Sequence, residues 1–433
     1  MKTDTIAAIA TAMAGSGIGI VRISGEEAVS ITDQIFHMPG GKKLSDMETH
    51  TIHYGHIRDG EEVIDEVMVL LMRGPRSYTR EDTVEIDCHG GVYVMKRILE
   101  TVIKYGARPA EPGEFTKRAF LNGRIDLSQA ESVIDVISAK NEFALKSSMK
   151  QLSGAVSDAV KEIRGEILHE IAFIESALDD PEHISLDGYG ERLELTIEGA
   201  VDRIEKLLAS SDNGRILKEG ISTVIVGKPN AGKSSLLNTL LGEERAIVTE
   251  IAGTTRDVLE EQINLNGIVL NIIDTAGIRD TDDIVEKIGV DKARKYVKDA
   301  DLILYVVDAS TNLDENDREI MELLHGRRTI VLLNKSDLTP LTTAENIRAH
   351  VDKDCPVISI SAREQKGIDV FTEQIREMFF RGEVTFNDEV YITNIRHKTA
   401  LQEALSSLHL VEQSIADGMP EDFYSIDLMN AYE

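Results

Sequence analysis

An eight-residue segment near the middle of this 433-residue chain constrains its fold more than any other feature. Residues 227–234 read Gly-Lys-Pro-Asn-Ala-Gly-Lys-Ser and match the phosphate-binding loop G-x-x-x-x-G-K-[ST] without a mismatch. The apolar run 221–226 predicts a strand before it, and residues 235–241 predict a helix after it. In that setting, loop N–H groups and the helix N-terminus converge on a polyphosphate, with Lys233 at the outer phosphates and Ser234 on Mg²⁺. The sequence therefore predicts a P-loop α/β domain.

Four further motifs of a guanine-nucleotide site follow in order, most of them directly after strand-like runs. Gly-Thr-Thr-Arg-Asp at 253–257 offers a Thr that completes the Mg²⁺ shell while the γ-phosphate is present. Asp-Thr-Ala-Gly at 274–277 places a carboxylate near the metal. In Asn-Lys-Ser-Asp at 334–337, Asp337 can accept two hydrogen bonds from guanine that adenine cannot donate. Ser-Ala-Arg at 361–363 looks like the loop that closes over the base. Five ordered motifs predict GTP binding.

The residue that orients the attacking water in Ras-like switches is missing. Those switches place a Gln directly after Asp-Thr-Ala-Gly, where this chain has Ile278, and an aliphatic side chain cannot orient water. The acidic stretch that follows contains Asp280, Asp282, Asp283 and Glu286. For the three aspartates, a solvated acidic loop is the favoured interpretation, because charge runs are usually solvated.

Composition sets outer limits on the class of protein. The length fits two or three domains, and the chain has neither an 18-residue apolar run nor a signal sequence, so we expect a cytoplasmic protein. Cys88 and Cys355 lack the spacing of a metal site or a disulfide framework. A net charge of −29 argues against broad nucleic-acid binding, and neither DNA nor a membrane is an expected partner. Most of the negative excess follows residue 120, so an anionic partner is expected at the N-terminal part or on a basic partner protein.

The first 115 residues predict an α+β domain. The expected elements are strands over residues 52–57, 66–72 and 83–88, a turn at Asp59-Gly60 and a helix over residues 93–104. Gly15, Gly17 and Gly19 suggest a dinucleotide-binding fingerprint, but G-x-G-x-x-G requires a glycine at position 20, where this chain has Ile20. A strand-like run also follows instead of a helix. We therefore reject a dinucleotide site.

From Glu114 onward, apolar residues recur at intervals of three and four, which indicates helices. The clearest helical stretches are residues 156–178, 191–210, 397–415 and the segment after Asp422. These stretches lie on both sides of the nucleotide motifs. We expect a G domain over residues 217–378, inserted into one helical bundle built from residues 116–216 and 379–433. A switch inserted in this way can transmit its state through both ends.

Several short motifs now favour one family. Outside the nucleotide domain they are Gly-Ile-Val-Arg-Ile-Ser-Gly at 19–25, Ser-Tyr-Thr-Arg-Glu-Asp at 77–82, Cys-His-Gly-Gly at 88–91 and Arg-Ala-Phe-Leu-Asn-Gly at 118–123; inside it they are residues 229–238 and 252–257. Along nearly its whole length, the chain resembles the MnmE (TrmE) family of tRNA-modification GTPases. The GTPase motifs alone would also fit relatives in ribosome assembly, so the N-terminal motifs and the inserted domain single out the family.

The resemblance implies a K⁺-activated GTPase, in which the ion replaces an arginine finger and stabilises charge on the transferring phosphoryl group. It implies that K⁺ is held by Asn230 and the backbone carbonyls of Thr249, Ile251 and Thr254, and Mg²⁺ by Ser234 and Thr255. Glu286 matches the family's catalytic glutamate, which orients the water that Ile278 cannot. The other residues assigned to GTP are Ala231, Gly232, Lys233, Ser235, Glu250, Ala252, Gly253, Asp274, Thr275, Ala276, Gly277, Asn334, Lys335, Asp337, Ser361, Ala362 and Arg363.

For residues 1–115, the resemblance implies a tetrahydrofolate-binding and dimerisation domain, with Arg22, Glu85 and Arg124 at the folate. A glutamate can accept hydrogen bonds from the aminopyrimidine edge of a pterin, and arginines suit carboxylates or the ring carbonyl. Without the resemblance, Glu85 would be an exposed strand residue. The implied cofactors are K⁺, Mg²⁺ and a tetrahydrofolate derivative. The implied assembly is a homodimer whose G domains pair on GTP, in a heterotetramer with the FAD-dependent MnmG (GidA).

The implied reaction transfers a one-carbon unit from methylene-tetrahydrofolate to carbon 5 of the wobble uridine of certain tRNAs, which yields a carboxymethylaminomethyl-type product. The family's Cys-x-Gly-Lys or Cys-x-Gly-Glu tail is missing from a sequence that stops at Glu433, so either this is part of a longer chain or the protein lacks that cysteine. Cys88 is a poor substitute, because a strand cysteine is typically a small buried hydrophobe. His89 is interpreted as a structural or folate-shell residue.

Two other classes of GTPase are alternatives to tRNA modification. The alternative is a regulatory ribosome-assembly GTPase that binds RNA without modifying it, which would need a KH-like or other basic RNA module. A mechanical GTPase acting on membranes would need a basic or amphipathic anchor. The sequence shows neither feature, so tRNA modification is the favoured hypothesis.

Overall fold

The computed structural model describes residues 4–243, 261–273, 300–380 and 392–433. The chain divides into two compact units. The first comprises Met1–Ile134 and Leu152–Ser157, and the second comprises Asp135–Gln151 and Asp158–Glu433. The first unit contains an α+β domain, and the second contains long helices together with the P-loop sheet.

A seven-stranded sheet forms the centre of the first unit. Its strands are β1 Ile6–Ile9, β2 Ile18–Ser24, β3 Phe36–His37, β4 Thr51–Asp59, β5 Glu62–Met72, β6 Thr83–His89 and β7 Arg108–Pro109. They lie in the order β3-β4-β5-β6-β2-β1-β7, and every neighbouring pair is antiparallel except β1 and β7. The helices are α1 Ala28–Ile35, α2 Val92–Lys104 and α3 Glu114–Leu121.

The two faces of β6 differ in character because side chains alternate along a strand. Val84, Ile86 and Cys88 lie in one buried hydrophobic cluster with Met95 and Ile98 of α2. The intervening carboxylates of β6 therefore lie on the face of the sheet away from this core. This alternation places the acidic groups on the same face as Arg22, which pairs with Glu85 across β2 and β6.

The predicted strands 52–57 and 66–72 are correct in kind but too short. The hairpin continues to the turn, with Asp59 paired to Glu62, and the register shifts between Ile57 and Arg58. Charged residues such as Glu62 and Asp65 interrupt the hydrophobic alternation, so the pattern did not predict this part of the strand. A half-exposed hairpin nevertheless accommodates them. The predicted helix 93–104 agrees with α2 to within one residue.

Helices α4 to α7 follow, and two more come near the C-terminal end. They are α4 Leu127–Ser138, α5 Glu142–Leu152, α6 Ala155–Asp179, α7 Tyr189–Glu219, α12 Ile395–Ala416 and α13 Glu421–Tyr432. Helix α12 packs on α7 and α13, and Arg164 of α6 donates a hydrogen bond to the Tyr432 carbonyl at 3.0 Å. Helices from before and after the nucleotide motifs thus form one bundle. Within the described ranges, no helix has the length and apolar character needed to span a membrane.

The second sheet has six strands with helices on both faces. Its elements are β8 Ile221–Val226, α8 Lys233–Glu243, β9 Glu261–Leu265, β10 Ile268–Ile272, β11 Leu302–Asp308, α9 Glu315–Leu324, β12 Thr329–Asn334, α10 Ala344–Arg348, β13 Val357–Ser359 and α11 Ile368–Phe380. The order is β13-β12-β11-β8-β10-β9, and only β9 runs antiparallel. Buried apolar clusters on both faces give the predicted α/β architecture.

The predicted helix 191–210 is wrong at its C-terminal end. Helix α7 continues to Glu219 and stops at Gly220, which has φ +90°. The sequence contains Asn213 and Gly214, which have low helix propensity, but tertiary packing overrides propensity in this helix. Ile216 in its last turns lies in the same buried cluster as Ile221 of β8. The end of α7 therefore belongs to the core of the nucleotide-binding sheet.

Candidate functional site

The P-loop connects β8 to α8 through a backbone that two glycines make possible. Gly227 has φ +150°, and a Cβ there would lie 2.3 Å from the Val306 carbonyl oxygen. Gly232 has φ +97°, and a Cβ there would lie 2.1 Å from Nδ2 of Asn334. A side chain at either position would collide with a neighbouring strand end. The loop conformation therefore depends on residues from β11 and β12 as well as on the motif itself.

Lys233 lies folded over the loop. Its Nζ donates hydrogen bonds to the carbonyl oxygens of Gly227 and Lys228, each at 2.7 Å. Burial lowers the pKa of Lys233, because desolvation disfavours its charged form. Phosphate oxygens would offer this ammonium stronger, charged acceptors than the two carbonyls. The position therefore fits the expected contact with the outer phosphates.

Another lysine of the P-loop, Lys228, anchors the loop to α9. Lys228 Nζ lies 2.6 Å from Asp317 Oδ2 and 2.9 Å from Asp314 Oδ2. Asp317 is buried and also accepts a hydrogen bond from the Tyr305 hydroxyl at 2.9 Å. Sequence reasoning missed this network, because the motif leaves the position of Lys228 open and its partner lies far along the chain.

Asn334 joins the phosphate and base loops of the site. Its Nδ2 donates to the Ala231 carbonyl at 3.0 Å, and its Oδ1 accepts from the Ala362 backbone N–H at 3.1 Å. The residue is 2% exposed. Both hydrogen-bonding ends of one buried amide are therefore committed to holding two nucleotide loops together.

Asp337 is exposed in the loop after β12, and the neighbouring loop that contains Ser361 positions it. The Ser361 hydroxyl donates to Asp337 Oδ1 at 2.7 Å, and this hydrogen bond is the largest contribution that lowers the pKa of Asp337. Lys335, two residues earlier, has φ +63°, and its Nζ lies 2.6 Å from Asp308 Oδ2. The aspartate is therefore an ionised acceptor near neutral pH, as recognition of a guanine edge requires.

The described part of the P-loop offers oxygen ligands for hard cations. Asn230 has φ +61°, a conformation that asparagine tolerates better than most residues, and its side chain is exposed. Ser234 is an exposed residue at the start of α8. Carboxamide and hydroxyl oxygens are ligands of the type that Mg²⁺ and K⁺ accept, so this donor set fits the two ions.

The other half of the predicted GTP site lies outside the described residues. This applies to Thr249, Glu250, Ile251, Ala252, Gly253, Thr254, Thr255, Asp274, Thr275, Ala276, Gly277 and Glu286. Their expected contacts with Mg²⁺, K⁺, the γ-phosphate and water stay predictions. Ser235 and Arg363 are described, and the Arg363 charge contributes to the lowered pKa of Asp337.

A second cluster lies in the first unit, around the Tyr78 ring. Arg22 Nε donates to Glu85 Oε1 at 2.6 Å across the β2–β6 pair. The guanidinium carbon of Arg22 lies 5.8 Å from the centre of the Tyr78 ring, and that of Arg124 lies 4.8 Å from it. The structure therefore brings together all three residues that were assigned to folate. Phe115, which sequence reasoning missed, lies 5.6 Å from Arg22 and forms a second aromatic wall.

Two of the family-like motifs hold this cluster in place. Arg80 donates to the carbonyl oxygens of Asn122 and Gly123, and the Asn122 side chain donates to the Thr79 carbonyl at 2.6 Å. The buried Arg118 pairs with Glu81 at 3.1 Å. The segments 77–82 and 118–123 therefore hold each other in place, and Tyr78 lies against the first turn of α3, with its hydroxyl 2.9 Å from Thr116 Oγ1.

Cys88 and His89 have no catalytic geometry. Cys88 is buried, donates to the Gly19 carbonyl at 3.2 Å, and burial raises its thiol pKa to about 11. A thiol of this kind is not a nucleophile at neutral pH. His89 is exposed and its Nδ1 lies 2.7 Å from Asp65 Oδ1. The first residue belongs to the core, and the second pairs with a neighbouring strand.

The mostly parallel sheet, its P-loop and its Asn-Lys-x-Asp loop define a P-loop GTPase that is joined to a separate α+β domain and a helical bundle. Two family models match nearly the whole chain: the GTP-binding protein TrmE N-terminus over residues 5–124 and the MnmE helical domain over residues 127–433. The chain therefore belongs to the MnmE family, and it is a GTP hydrolase. The family resemblance and the fold class predicted from the sequence are both confirmed.

Similar proteins from several bacteria support the assignment. A protein of Lachnoclostridium phytofermentans is 61% identical over 434 residues, which cover 100% of this chain and 94% of that protein. Proteins of Clostridioides difficile and Bacillus subtilis are 50% and 47% identical, with 99% of this chain and 94% of each relative covered. All three are named tRNA modification GTPase MnmE. The solved G domain of the T. maritima FeoB iron transporter matches 37% of this chain and 98% of its own length at 22% identity, with a TM-score of 0.27, too low to bear on the fold.

Proposed function

We propose that this GTPase drives the addition of a carboxymethylaminomethyl-type group to carbon 5 of the wobble uridine of certain tRNAs in the cytoplasm. The one-carbon donor is methylene-tetrahydrofolate, and the working assembly is a homodimer joined to the FAD-dependent MnmG (GidA) in a heterotetramer. The names of the relatives, tRNA modification GTPases, support the tRNA substrate. Family matches on both sides of the GTPase motifs favour this function over ribosome assembly.

The observation that carries the proposal is the cluster of Arg22, Glu85 and Arg124 around Tyr78. A reduced folate combines a flat ring, an aminopyrimidine edge with N–H donors, and carboxylates at its far end. The cluster offers an aromatic wall, a carboxylate acceptor and two guanidinium donors, which complement those three features.

The nucleotide site supports GTP turnover through three described groups. Lys233 exchanges its two carbonyl acceptors for phosphate oxygens, Asp337 accepts hydrogen bonds from guanine, and Asn334 keeps both loops in register. Asn230 and Ser234 would help to hold K⁺ and Mg²⁺. When bound, these cations neutralise the charge that develops on the phosphates. Glu286 is proposed as the residue that orients the attacking water, because Ile278 cannot.

Calorimetry with 5-formyl-tetrahydrofolate tests the proposal directly. We expect the protein to bind this stable analogue, and we expect Arg22→Ala to lose most of the affinity because it also releases Glu85. The matched control is Arg97→Ala, which removes an arginine paired with Glu62 on the helical side of the sheet. A protein that takes up no analogue, or an Arg97→Ala loss equal to that of Arg22→Ala, would contradict the proposal.

A further inference from the structure

A further carboxylate, that of Asp87, lies close to the Arg22–Glu85 pair. Asp87 lies two residues after Glu85 on β6, so both side chains lie on the same face of the sheet. Its direct neighbours across the strands are Ile20 of β2 and Met68 of β5. Asp87 is therefore a carboxylate set between two apolar side chains, next to a polar pair.

Asp87 carries an unsatisfied atom. Its Oδ1 is shielded from solvent, and no described residue donates a hydrogen bond to it. Burial and, to a smaller degree, the negative charge of Glu85 raise the pKa of Asp87. Folded proteins nearly always satisfy such an atom, because leaving it without a donor destabilises the fold. The donor that this atom lacks has to come from outside the described residues, from a water molecule, a ligand or a second chain.

We propose that Asp87 is a further ligand-binding residue of the N-terminal site, which accepts a hydrogen bond from an N–H or amino group of the reduced pterin ring. This inference rests on the proposed function of that site. Glu85 Oε1 already accepts from Arg22, whereas Asp87 Oδ1 is uncommitted. Met68 is 48% exposed, so it and the neighbouring Ile20 offer an apolar surface that a flat ring can cover.

Two readouts separate this role from a structural one. We expect Asp87→Ala to bind 5-formyl-tetrahydrofolate at least about tenfold more weakly, because a buried donor of the ligand loses its acceptor. Asp87→Asn keeps an acceptor oxygen without the charge, so its affinity should lie between those of Asp87→Ala and the unchanged protein. Thermal unfolding should show Asp87→Asn to be at least as stable as the unchanged protein, since an unsatisfied charge is removed. Glu100→Gln, an exposed carboxylate change on α2, is the control for both measurements.

Each other outcome overturns the inference in a recognisable way. Unchanged folate affinity in Asp87→Ala shows that the carboxylate does not contact the ligand. Unchanged affinity together with a weakened dimer, measured by sedimentation, shows that a second copy of the chain supplies the donor instead. Losses of stability that parallel the losses of affinity show a structural role. If the unchanged protein takes up no folate, the proposed function fails as well, whereas the first three outcomes leave it intact.

Discussion

Ser361 donates a hydrogen bond to Asp337, which lowers the pKa of that carboxylate and orients it at the base end of the nucleotide site. The ionised group accepts two hydrogen bonds, which matches the donor pair of guanine. We predict that Asp337→Asn lowers affinity for GTP at least about thirtyfold, since an amide cannot accept both hydrogen bonds. The same variant should gain affinity for xanthosine triphosphate, whose ring carbonyl accepts from the amide. Competition binding with both nucleotides checks the prediction; equal losses for both would contradict it.

Lys228 has a structural task that its motif does not reveal. We predict that Lys228→Ala destabilises the protein by about 3 kcal/mol, because it leaves the buried Asp317 without its cation. Lys228→Arg should retain most of the stability, and the double change Lys228→Met with Asp317→Asn should recover most of the loss by removing both charges. Thermal unfolding measures all three. A double variant less stable than Lys228→Ala would show that the charge pair is not the cause.

Substitution of Asn230 tests the proposed K⁺ site. We predict that GTP turnover is at least about tenfold faster in K⁺ than in Na⁺ at equal ionic strength, because a correctly held cation offsets transition-state charge. Asn230→Ala should remove the difference between the two salts. Asn238→Ala changes an exposed asparagine on α8 and should leave the K⁺ effect intact. Equal rates of the unchanged protein in both salts would count against a K⁺ site.

At the scale of elements, the β9–β10 hairpin lies between the two undescribed nucleotide segments and is tied to helices. Lys140 Nζ donates to Gln262 Oε1 at 2.8 Å, and Gln262 in turn donates to Asn271 at 3.0 Å. Asn271 donates to the Glu219 carbonyl at the end of α7 at 2.7 Å. A Cβ on Gly267, in the hairpin turn, would lie 2.8 Å from the Phe143 ring. The hairpin therefore contacts both α5 and α7.

We predict that GTP binding changes amide hydrogen exchange in α5 and in the C-terminal half of α7, and that Gln262→Ala combined with Phe143→Ala removes this response. The physical reason is that the hairpin's hydrogen bonds and its one tight contact connect these helices to the nucleotide segments. Exchange measured by mass spectrometry, with and without a non-hydrolysable GTP analogue, provides the test. Leu145→Ala, an exposed change on α5, is the control. An unaltered response in the double variant would mean that coupling follows another route.

Much of the nucleotide site could be predicted from the sequence because its information is local. A strand, a glycine loop and a helix follow one another directly, so residues 221–241 are sufficient to predict the P-loop setting. The contacts that complete the site are not local. The sequence around Lys228 does not predict its pairing with Asp317. Likewise, the sequence around Asn334 does not predict that its amide contacts both Ala231 and Ala362.

The lengths of the elements show the same division. The pattern located the β4–β5 hairpin and α7, but it missed the charged end of the former and the last turns of the latter. Helix α7 persists to Glu219 because Ile216 is buried in the core of the second sheet, a fact about packing that propensity does not contain. In the first unit, the Arg22–Glu85 pair follows from register, while Tyr78 and Phe115 arrive from separate loops and helices.

For the whole molecule, the net charge of −29 governs the encounter with an anionic substrate. We predict that this chain alone binds tRNA weakly and with a shallow dependence of affinity on salt, because few cations are available to release counterions. Adding the proposed FAD-dependent partner, MnmG (GidA), should increase both the affinity and the salt dependence. Filter binding across a salt series measures the two quantities. Tight binding by the chain alone, steeply weakened by salt, would contradict this account.

Helix α7 has 31 residues and passes into β8 through the single residue Gly220. Because Ile216 is already fixed in the core of the second sheet, the junction contains no slack chain. A tilt of the nucleotide-binding sheet must therefore carry the final turns of this helix with it. Because a helix of 31 residues is roughly 47 Å long, a rotation of about 5° moves its far end by about 4 Å. The helix thus converts a small rotation of the sheet into a larger displacement at the other end of the bundle.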